Sequence, residues 1–336
     1  MKQNATLKKL SETLGLSIST ISRALKSHPD ISEATRVKVL ELANVMEYEP
    51  NTNAINLRTN NSRIFGVIVP VISNYFYDSM IASLEEETRL HGYSLLILQS
   101  GDDPVVELSN LKLCKQNRVA GVFATLTKRT KDVSPFLRLQ ENDVPVIFLD
   151  KVPAEQQCNK ICVDDKAAAT LAAEALMMRK KKNILAIFGN SSMSITQERS
   201  RAFSAYFEMN AQKKVKLLIK EADTPAEAYQ ATLKAFQCVK RPDAIFCMSD
   251  EILTGVMKAV QQLKIDVPAE AGIIAISNGI IPQYYHPEIT YVETSGYKLG
   301  KLAYTRMMAC LAGSSFIQNL KVDAVLVNGG SLAPVT

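Results

Sequence analysis

Leu14-Gly15-Leu16-Ser17-Ile18-Ser19-Thr20-Ile21-Ser22-Arg23 joins a glycine, a capping serine and an apolar period of three to four residues. Glycine enters the left-handed backbone region without a side-chain clash, which is what a tight turn after a helix requires. A serine oxygen just ahead of an apolar run can accept one of the unpaired first-turn N–H groups. Ile18 and Ile21, with Leu25 beyond them, then recur at helical spacing. The stretch therefore reads as a turn leading into a short helix. Upstream, Thr6 precedes Leu7, Leu10 and Leu14; downstream, Ser32 precedes Val37, Leu40, Ala43 and Met46. The first 46 residues thus read as three short helices.

The middle helix turns its apolar positions inward and leaves Ser19, Thr20, Ser22, Arg23 and Lys26 for other faces. Such a helix suits the DNA major groove, where arginine can bond guanine bidentately, hydroxyls reach phosphates or base edges, and an apolar group touches a thymine methyl. The residues alone equally allow a three-helix module with solvated faces used for protein contacts. Charge distribution favours nucleic acid: Lys2, Lys8, Lys9, Arg23 and Lys26 against Glu12 leave +4 in the first 27 residues, out of +5 for all 336.

The pattern changes near residue 60. Strand-like runs at 64–70, 93–98, 119–125 and 144–149 alternate with longer amphipathic or polar stretches. The rhythm repeats at 183–189, 215–221, 243–248 and 272–277, separated by helical segments at 166–179, 197–211, 226–238 and 252–263. Parallel strands joined by crossover helices produce this alternation. The prediction is α/β: two doubly wound parallel-sheet lobes behind a helical headpiece. The polar, asparagine-rich stretch 50–62 reads as a linker. Ligands of open parallel sheets bind beyond the carboxyl ends of the strands, so a cleft between the lobes is the expected small-molecule site.

Composition narrows the function. No apolar run approaches the roughly 18 to 20 residues of a membrane span, and the first residues hold no secretory apolar block, so the expected compartment is the cytoplasm. The six cysteines, Cys114, Cys158, Cys162, Cys238, Cys247 and Cys310, are scattered, and His28, His91 and His286 lie in unrelated segments, so neither a metal nor a disulfide framework is expected. A dinucleotide fingerprint, a phosphate loop and a Gly-x-Ser-x-Gly turn are all missing, which argues against an enzyme and against a cofactor.

Gly15-Leu16-Ser17, Thr20-Ile21-Ser22-Arg23, Ile31-Ser32, Thr35-Arg36 and Val39, then Tyr48-Glu49-Pro50-Asn51 and Ala54-Ile55-Asn56-Leu57, stand in an order that resembles the headpiece and hinge of the LacI/GalR repressor family. The resemblance implies a helix-turn-helix in which Ile18, Ser19 and Arg23 read bases, Thr20 and Ser22 sit on phosphates, and Leu16, Ile21 and Leu25 form core. Ile18 has a second option, packing on Leu14. The implied DNA-contacting set is completed by Thr6, Ser17, Lys26, Asn51, Ala54 and Leu57. The segment 53–58 resembles a hinge helix whose Leu57 wedges into the minor groove, a step that unstacks bases at a cost of a few kcal/mol.

The likeness continues through Phe65-Gly66-Val67-Ile68-Val69-Pro70, Ser73-Asn74, His91-Gly92-Tyr93, Pro145-Val146-Ile147-Phe148-Leu149-Asp150, Glu198-Arg199 and Pro242-Asp243-Ala244-Ile245-Phe246-Cys247. It implies a periplasmic-binding-protein-like sensor whose cleft holds a sugar or related metabolite against Phe76, Tyr77, Asp150, Arg199, Asp223, Ser249 and Ser277. For Asp150 and Asp250, at strand ends, capping of a following helix is the alternative role. Two departures stand out. Ser277-Asn278-Gly279 occupies the place of a common aspartate, and Arg179-Lys180-Lys181-Lys182 replaces a usual glycine-histidine; the basic run reads as solvated surface.

The division implied is a headpiece at 1–49, a linker with hinge helix at 50–62, and a sensor and dimerisation domain at 63–336. Its first lobe takes about 63–163 and 293–320, its second about 164–292 and 321–336. The partners implied are double-stranded operator DNA, a small-molecule effector and a second copy of the chain. Repression is the family's commoner mode. A free-standing solute-binding protein, and a DNA-binding protein with an unresponsive cleft, are the remaining readings.

Overall fold

The computed structural model describes residues 6–48, 62–154, 157–210 and 215–334. The chain divides into two compact units, Met1–Asn61 and Ser62–Thr336.

The first unit contains α1 (Leu7–Leu14), α2 (Ile18–Leu25) and α3 (Glu33–Val45). Each starts on the cap read from sequence: Thr6, Ser17 and Ser32 accept from the N–H three residues on, that of Lys9, Thr20 and Thr35. Gly15 closes α1 at φ 64°, and its N–H bonds the Ser11 carbonyl. Leu10, Ile21, Ala24, Val39 and Ala43 are buried, with Leu14, Leu16 and Leu25 packed against them. On α3 the inward face differs from the apolar period. Val37 and Leu40 are exposed, and Val39, Leu42, Ala43 and Met46 turn to the core. Asn51, Ala54 and Leu57 lie outside the described residues.

The second unit is two α/β lobes. The first comprises β1 (Ile64–Val69), α4 (Tyr75–Leu90), β2 (Ser94–Gln99), α5 (Pro104–Gln116), β3 (Gly121–Ala124), α6 (Ser134–Gln140), β4 (Val146–Leu149) and β5 (Asn159–Val163). The second comprises α7 (Asp165–Met178), β6 (Asn183–Phe188), α8 (Ser194–Asn210), β7 (Lys216–Glu221), α9 (Pro225–Phe236), β8 (Ala244–Cys247), α10 (Asp250–Leu263), β9 (Gly272–Ser277) and β10 (Thr290–Glu293). The chain then returns to the first lobe as α11 (Gly296–Leu311) and β11 (Asn319–Val322), and ends in the second as β12 (Val325–Val327).

The sheets run β11-β5-β4-β3-β1-β2 and β12-β10-β9-β8-β6-β7. All neighbours are parallel except β10 and β12. In both, strand order reverses beside the first strand, between β1 and β3 and between β6 and β8, which is where a doubly wound sheet opens a crevice at its carboxyl ends. The central strands are buried on both faces, as in IFGVIV and GIIAIS, because helices cover both sides.

Four strands, β5, β10, β11 and β12, were not among the eight read from sequence; all are short, and three belong to the segments that recross between lobes. Pairing also moves the lobe limits. Glu293 pairs with Ser277 in the second sheet, whereas Lys321 and Val322 pair with Cys162 and Val163 in the first. The later crossings thus fall at 294–295 and 323–324.

Helix α4 is fixed tightly where it enters the cleft. Asn74 caps it, its Oδ1 accepting from Phe76 and Tyr77 N–H. Glycines on α11 let that helix approach: a Cβ at Gly296 would lie 2.3 Å from the Phe76 carbonyl oxygen, and one at Gly300 2.7 Å from that of Met80. Any larger residue there would push out the turn that presents Phe76 and Tyr77.

Candidate functional site

On the headpiece, α2 presents a continuous polar surface. Ser17, Ser19, Arg23 and Lys26 are exposed, and Thr20 and Ser22 are half-buried at the edge of the core. Ser17 Oγ lies 2.7 Å from Ser19 Oγ and 2.8 Å from Thr20 Oγ1, so one cap organises three hydroxyls on the first turn. Ile18 is 48% exposed, a position available to a partner. Thr6 is exposed at the start of α1. The Arg23 guanidinium is 3.9 Å from Asp30, a loose surface pair that leaves it free to reorient.

Between the lobes lies a cleft of about 550 Å³. Phe76, Tyr77, Asp150, Arg199, Asp223, Ser249 and Ser277 all line it. They come together because each follows, or ends, a strand at the carboxyl edge, or stands in the first turns of α4 or α8.

Their roles differ. Tyr77 donates its hydroxyl to Asp150 Oδ2 at 2.8 Å, and burial, reinforced by that carboxylate, holds the phenol well above its usual pKa. Asp150 sits at φ 59° and caps no helix; a strand follows it. Arg199 is 6% exposed. Its Nε and Nη2 both lie 2.7 Å from Asp165 Oδ1, and its Nη1 donates to the Met248 carbonyl at 2.9 Å. Burial nevertheless raises the Asp165 carboxyl to about 6, with the Asp150 charge adding to the rise and Arg199 opposing it.

Ser249, not Asp250, caps α10. Asp250 instead accepts the Ser277 hydroxyl and the Asn278 N–H, and burial raises it to about 6 against those two bonds. The capping alternative for both aspartates is thereby replaced by side-chain networks. Asp223 accepts from the Asn190 N–H at 2.9 Å. The basic run is partly structural: Arg179 bonds the Ala175 and Ala333 carbonyls and Asn328 Oδ1.

Sequence reading named Asn74, Asn278 and Asp223 but not their part in tying one lobe to the other, and it did not name Lys128, Glu251 or Asp102. Asn74 Nδ2 donates to Glu251 Oε1 at 2.6 Å, Asn278 Nδ2 donates to the Tyr75 carbonyl at 2.6 Å, and Lys128 Nζ stands 4.0 Å from both Asp102 and Asp223. Lys128 and Glu251 both fall within a few positions of a strand's carboxyl end, a signal that could have nominated them.

Among the described residues no helix is long and apolar enough to cross a membrane, and no group of three or more His, Cys, Asp or Glu side chains could hold a metal ion. A helix-turn-helix headpiece joined to a two-lobed, parallel-sheet binding domain defines a ligand-sensing DNA-binding regulator. Two family models match: bacterial regulatory proteins of the lacI family over residues 6–51, and the periplasmic binding proteins and sugar-binding domain of the LacI family over 62–314. The chain belongs to the LacI family of transcription regulators and is not an enzyme.

Among curated relatives, it is 26% identical over 304 residues to the HTH-type transcriptional repressor PurR of Vibrio vulnificus, covering 89% of this chain and 90% of that one. It is 25% identical over 312 residues to the NTD biosynthesis operon regulator NtdR of Bacillus subtilis, covering 92% and 94%. In fold it resembles a lac repressor dimer bound to operator and the anti-inducer ONPF, with TM-score 0.86 and 20% identity, covering 98% of this chain and all of that one. A periplasmic binding protein/LacI transcriptional regulator from Alkaliphilus metalliredigens, complexed with D-xylulofuranose, gives TM-score 0.71 at 21% identity, over 81% of this chain and all of that one.

Proposed function

We propose that this regulator is a cytoplasmic repressor that binds a pseudo-palindromic operator as a homodimer and is modulated by a small polar metabolite, a sugar or a relative of one, held between its lobes. The observation that carries the reading is the first turn of α2, where a capped trio of hydroxyls and an exposed Ile18 stand beside Arg23 on a headpiece whose core is otherwise closed. Thr6, Ser17, Ile18, Ser19, Thr20, Ser22, Arg23 and Lys26 form the proposed groove contacts. Asn51, Ala54 and Leu57 form the proposed hinge contacts, within the three-part division 1–49, 50–62 and 63–336. Phe76, Tyr77, Asp150, Arg199, Asp223, Ser249 and Ser277 form the proposed effector site.

One short helix reads too few base pairs for genomic selectivity, so two headpieces in fixed register are required. Effector bound to both lobes couples to the headpieces through a free energy of about 1–3 kcal/mol, typical of such regulators. Selection of binding sites from a random duplex library at two salt concentrations tests the reading, because phosphate contacts alone give unspecific, salt-sensitive affinity. The expected result is an enriched pseudo-palindrome that persists at the higher salt. Recovery of no motif overturns the reading.

A further inference from the structure

The cleft carries more negative charge than its cations balance. Its lining includes five carboxylates, Asp102, Asp150, Asp223, Asp250 and Glu251, against Lys128, Lys151 and Arg199. Arg199, the buried cation, is already matched by a buried carboxylate, Asp165, that lies at its Nε and Nη2. Lys128 is shared at 4.0 Å between Asp102 and Asp223. Lys151 makes no ion pair among the described residues and stands 5.8 Å from the centre of the Tyr77 ring.

Asp150 is different. Its hydrogen-bond partner among the described residues is neutral, the Tyr77 hydroxyl, and its charge bears on Asp165 and Tyr77, raising both. Asp150 thus makes no ion pair among the described residues and stands at the hydroxyl edge of Tyr77, whose ring meets that of Phe76 edge to face with centroids 5.9 Å apart. A carboxylate beside aromatic rings is the surrounding that an ammonium group favours over an anion.

A second, independent observation points to a bound ligand. Thr196 is 3% exposed and lines the cleft, and its hydroxyl has no hydrogen-bond partner among the described residues. That oxygen would stand 3.3 Å from a Cβ at Gly189, a position that glycine leaves open. A buried orphan hydroxyl costs about 1–3 kcal/mol unless something bonds it.

We propose that the effector is a polyhydroxylated compound bearing a protonated amine, with Asp150 as the counter-ion of the amine and Thr196 bonding one of its hydroxyls. The proposal rests on the sensor reading of the cleft and adds the charge of its occupant. Sugar phosphates and sugar acids are disfavoured by the same surplus of carboxylates.

The test is calorimetry on the full chain with a panel of common pentoses and hexoses, each as the neutral sugar, the amino-deoxy sugar and the phosphate or uronic acid. An amino sugar is expected to bind about tenfold more tightly than its neutral parent, the difference between a charge-assisted and a neutral hydrogen bond. The acidic forms are expected not to bind. Asp150→Asn keeps an acceptor for Tyr77 and tolerates the left-handed backbone, so it should reduce that tenfold preference to about onefold.

Tighter binding of any phosphate or uronate, equal binding of amino and neutral forms, or equal losses for both in Asp150→Asn would each overturn the proposal. Silence across the whole panel would also overturn it. In that case release of the selected operator by a metabolite extract decides separately whether the cleft senses anything.

Discussion

Asp250→Asn should stabilise the sensor domain at neutral pH and lose that advantage in acid. Asp250 is 7% exposed, and burial raises its carboxyl from 3.8 to about 6. The folded state therefore holds this proton more tightly than the unfolded chain does. Its contribution is fully present below about pH 4 and is lost as pH rises through about 6. A shift of about two units corresponds to about 3 kcal/mol of cost at pH 7.5, since each unit is about 1.4 kcal/mol.

Asparagine imitates the neutral carboxyl but has a single acceptor, where Asp250 accepts from both Ser277 and Asn278. Losing one such bond costs about 1 kcal/mol. The variant is thus expected to gain about 2 kcal/mol at pH 7.5 and to match the parent to within about 0.5 kcal/mol at pH 4.5, where the remaining cost of the parent's carboxyl and the lost bond cancel. Urea denaturation followed by circular dichroism at the two pH values measures this directly; with no tryptophan in the chain, indole fluorescence is not an option. A stability difference of the same sign and size at both pH values would refute the reasoning, because Asp250 would then be ionised at ordinary cost.

Ser17→Ala removes the acceptor for Thr20 N–H and the hub of three hydroxyls, so the headpiece should lose about 1 kcal/mol by thermal melting and bind its selected operator more weakly. Arg23→Ala should relax the preference at one base pair of each half-site by about 1–3 kcal/mol in a competition assay with mutated duplexes, leaving other positions unchanged. Asp165→Ala leaves the Arg199 guanidinium buried without its carboxylate and should cost about 3–5 kcal/mol by urea denaturation. Adding Arg199→Met should recover most of that loss.

The headpiece was legible because its signals are local. A cap and the N–H it receives are three residues apart, and Gly15 declares its own left-handed turn. The inward face of α3 was less so, since Val37 and Leu40 share a helical period with Ala43 and yet face solvent; tertiary packing selects Val39 instead. Of the four strands missed, β11 and β12 are three or four residues long and exposed or half-buried over most of their length, while β5 and β10 are buried but carry polar residues, as in NKICV and TYVE, that break the apolar run.

In the cleft, sequence could nominate positions at strand ends but not their bonding. Arg199 meets Asp165 across 34 residues, Asn74 meets Glu251 across 177, and Asn278 meets Tyr75 across 203. Such partners decide what each nominated residue can offer. Arg199 reads as a cation for a ligand until its buried carboxylate is seen. It then becomes a neutralised pair with its remaining N–H donors, able to orient hydroxyls and poorly suited to an anion.

The serine at 277 shows the same dependence from the opposite side. Read alone, it takes a ligand-gripping carboxylate out of the cleft. In the fold, its hydroxyl donates to Asp250, so a carboxylate remains on that wall, supplied from 27 residues upstream and held by Ser277 and the Asn278 N–H. The hydroxyl also accepts from the Gly279 N–H at 2.9 Å, which fixes the loop from which Asn278 reaches across to the Tyr75 carbonyl. Ser277, Asn278 and Gly279 therefore act together. The serine that replaces a carboxylate at 277 thereby fixes the loop that ties one lobe to the other.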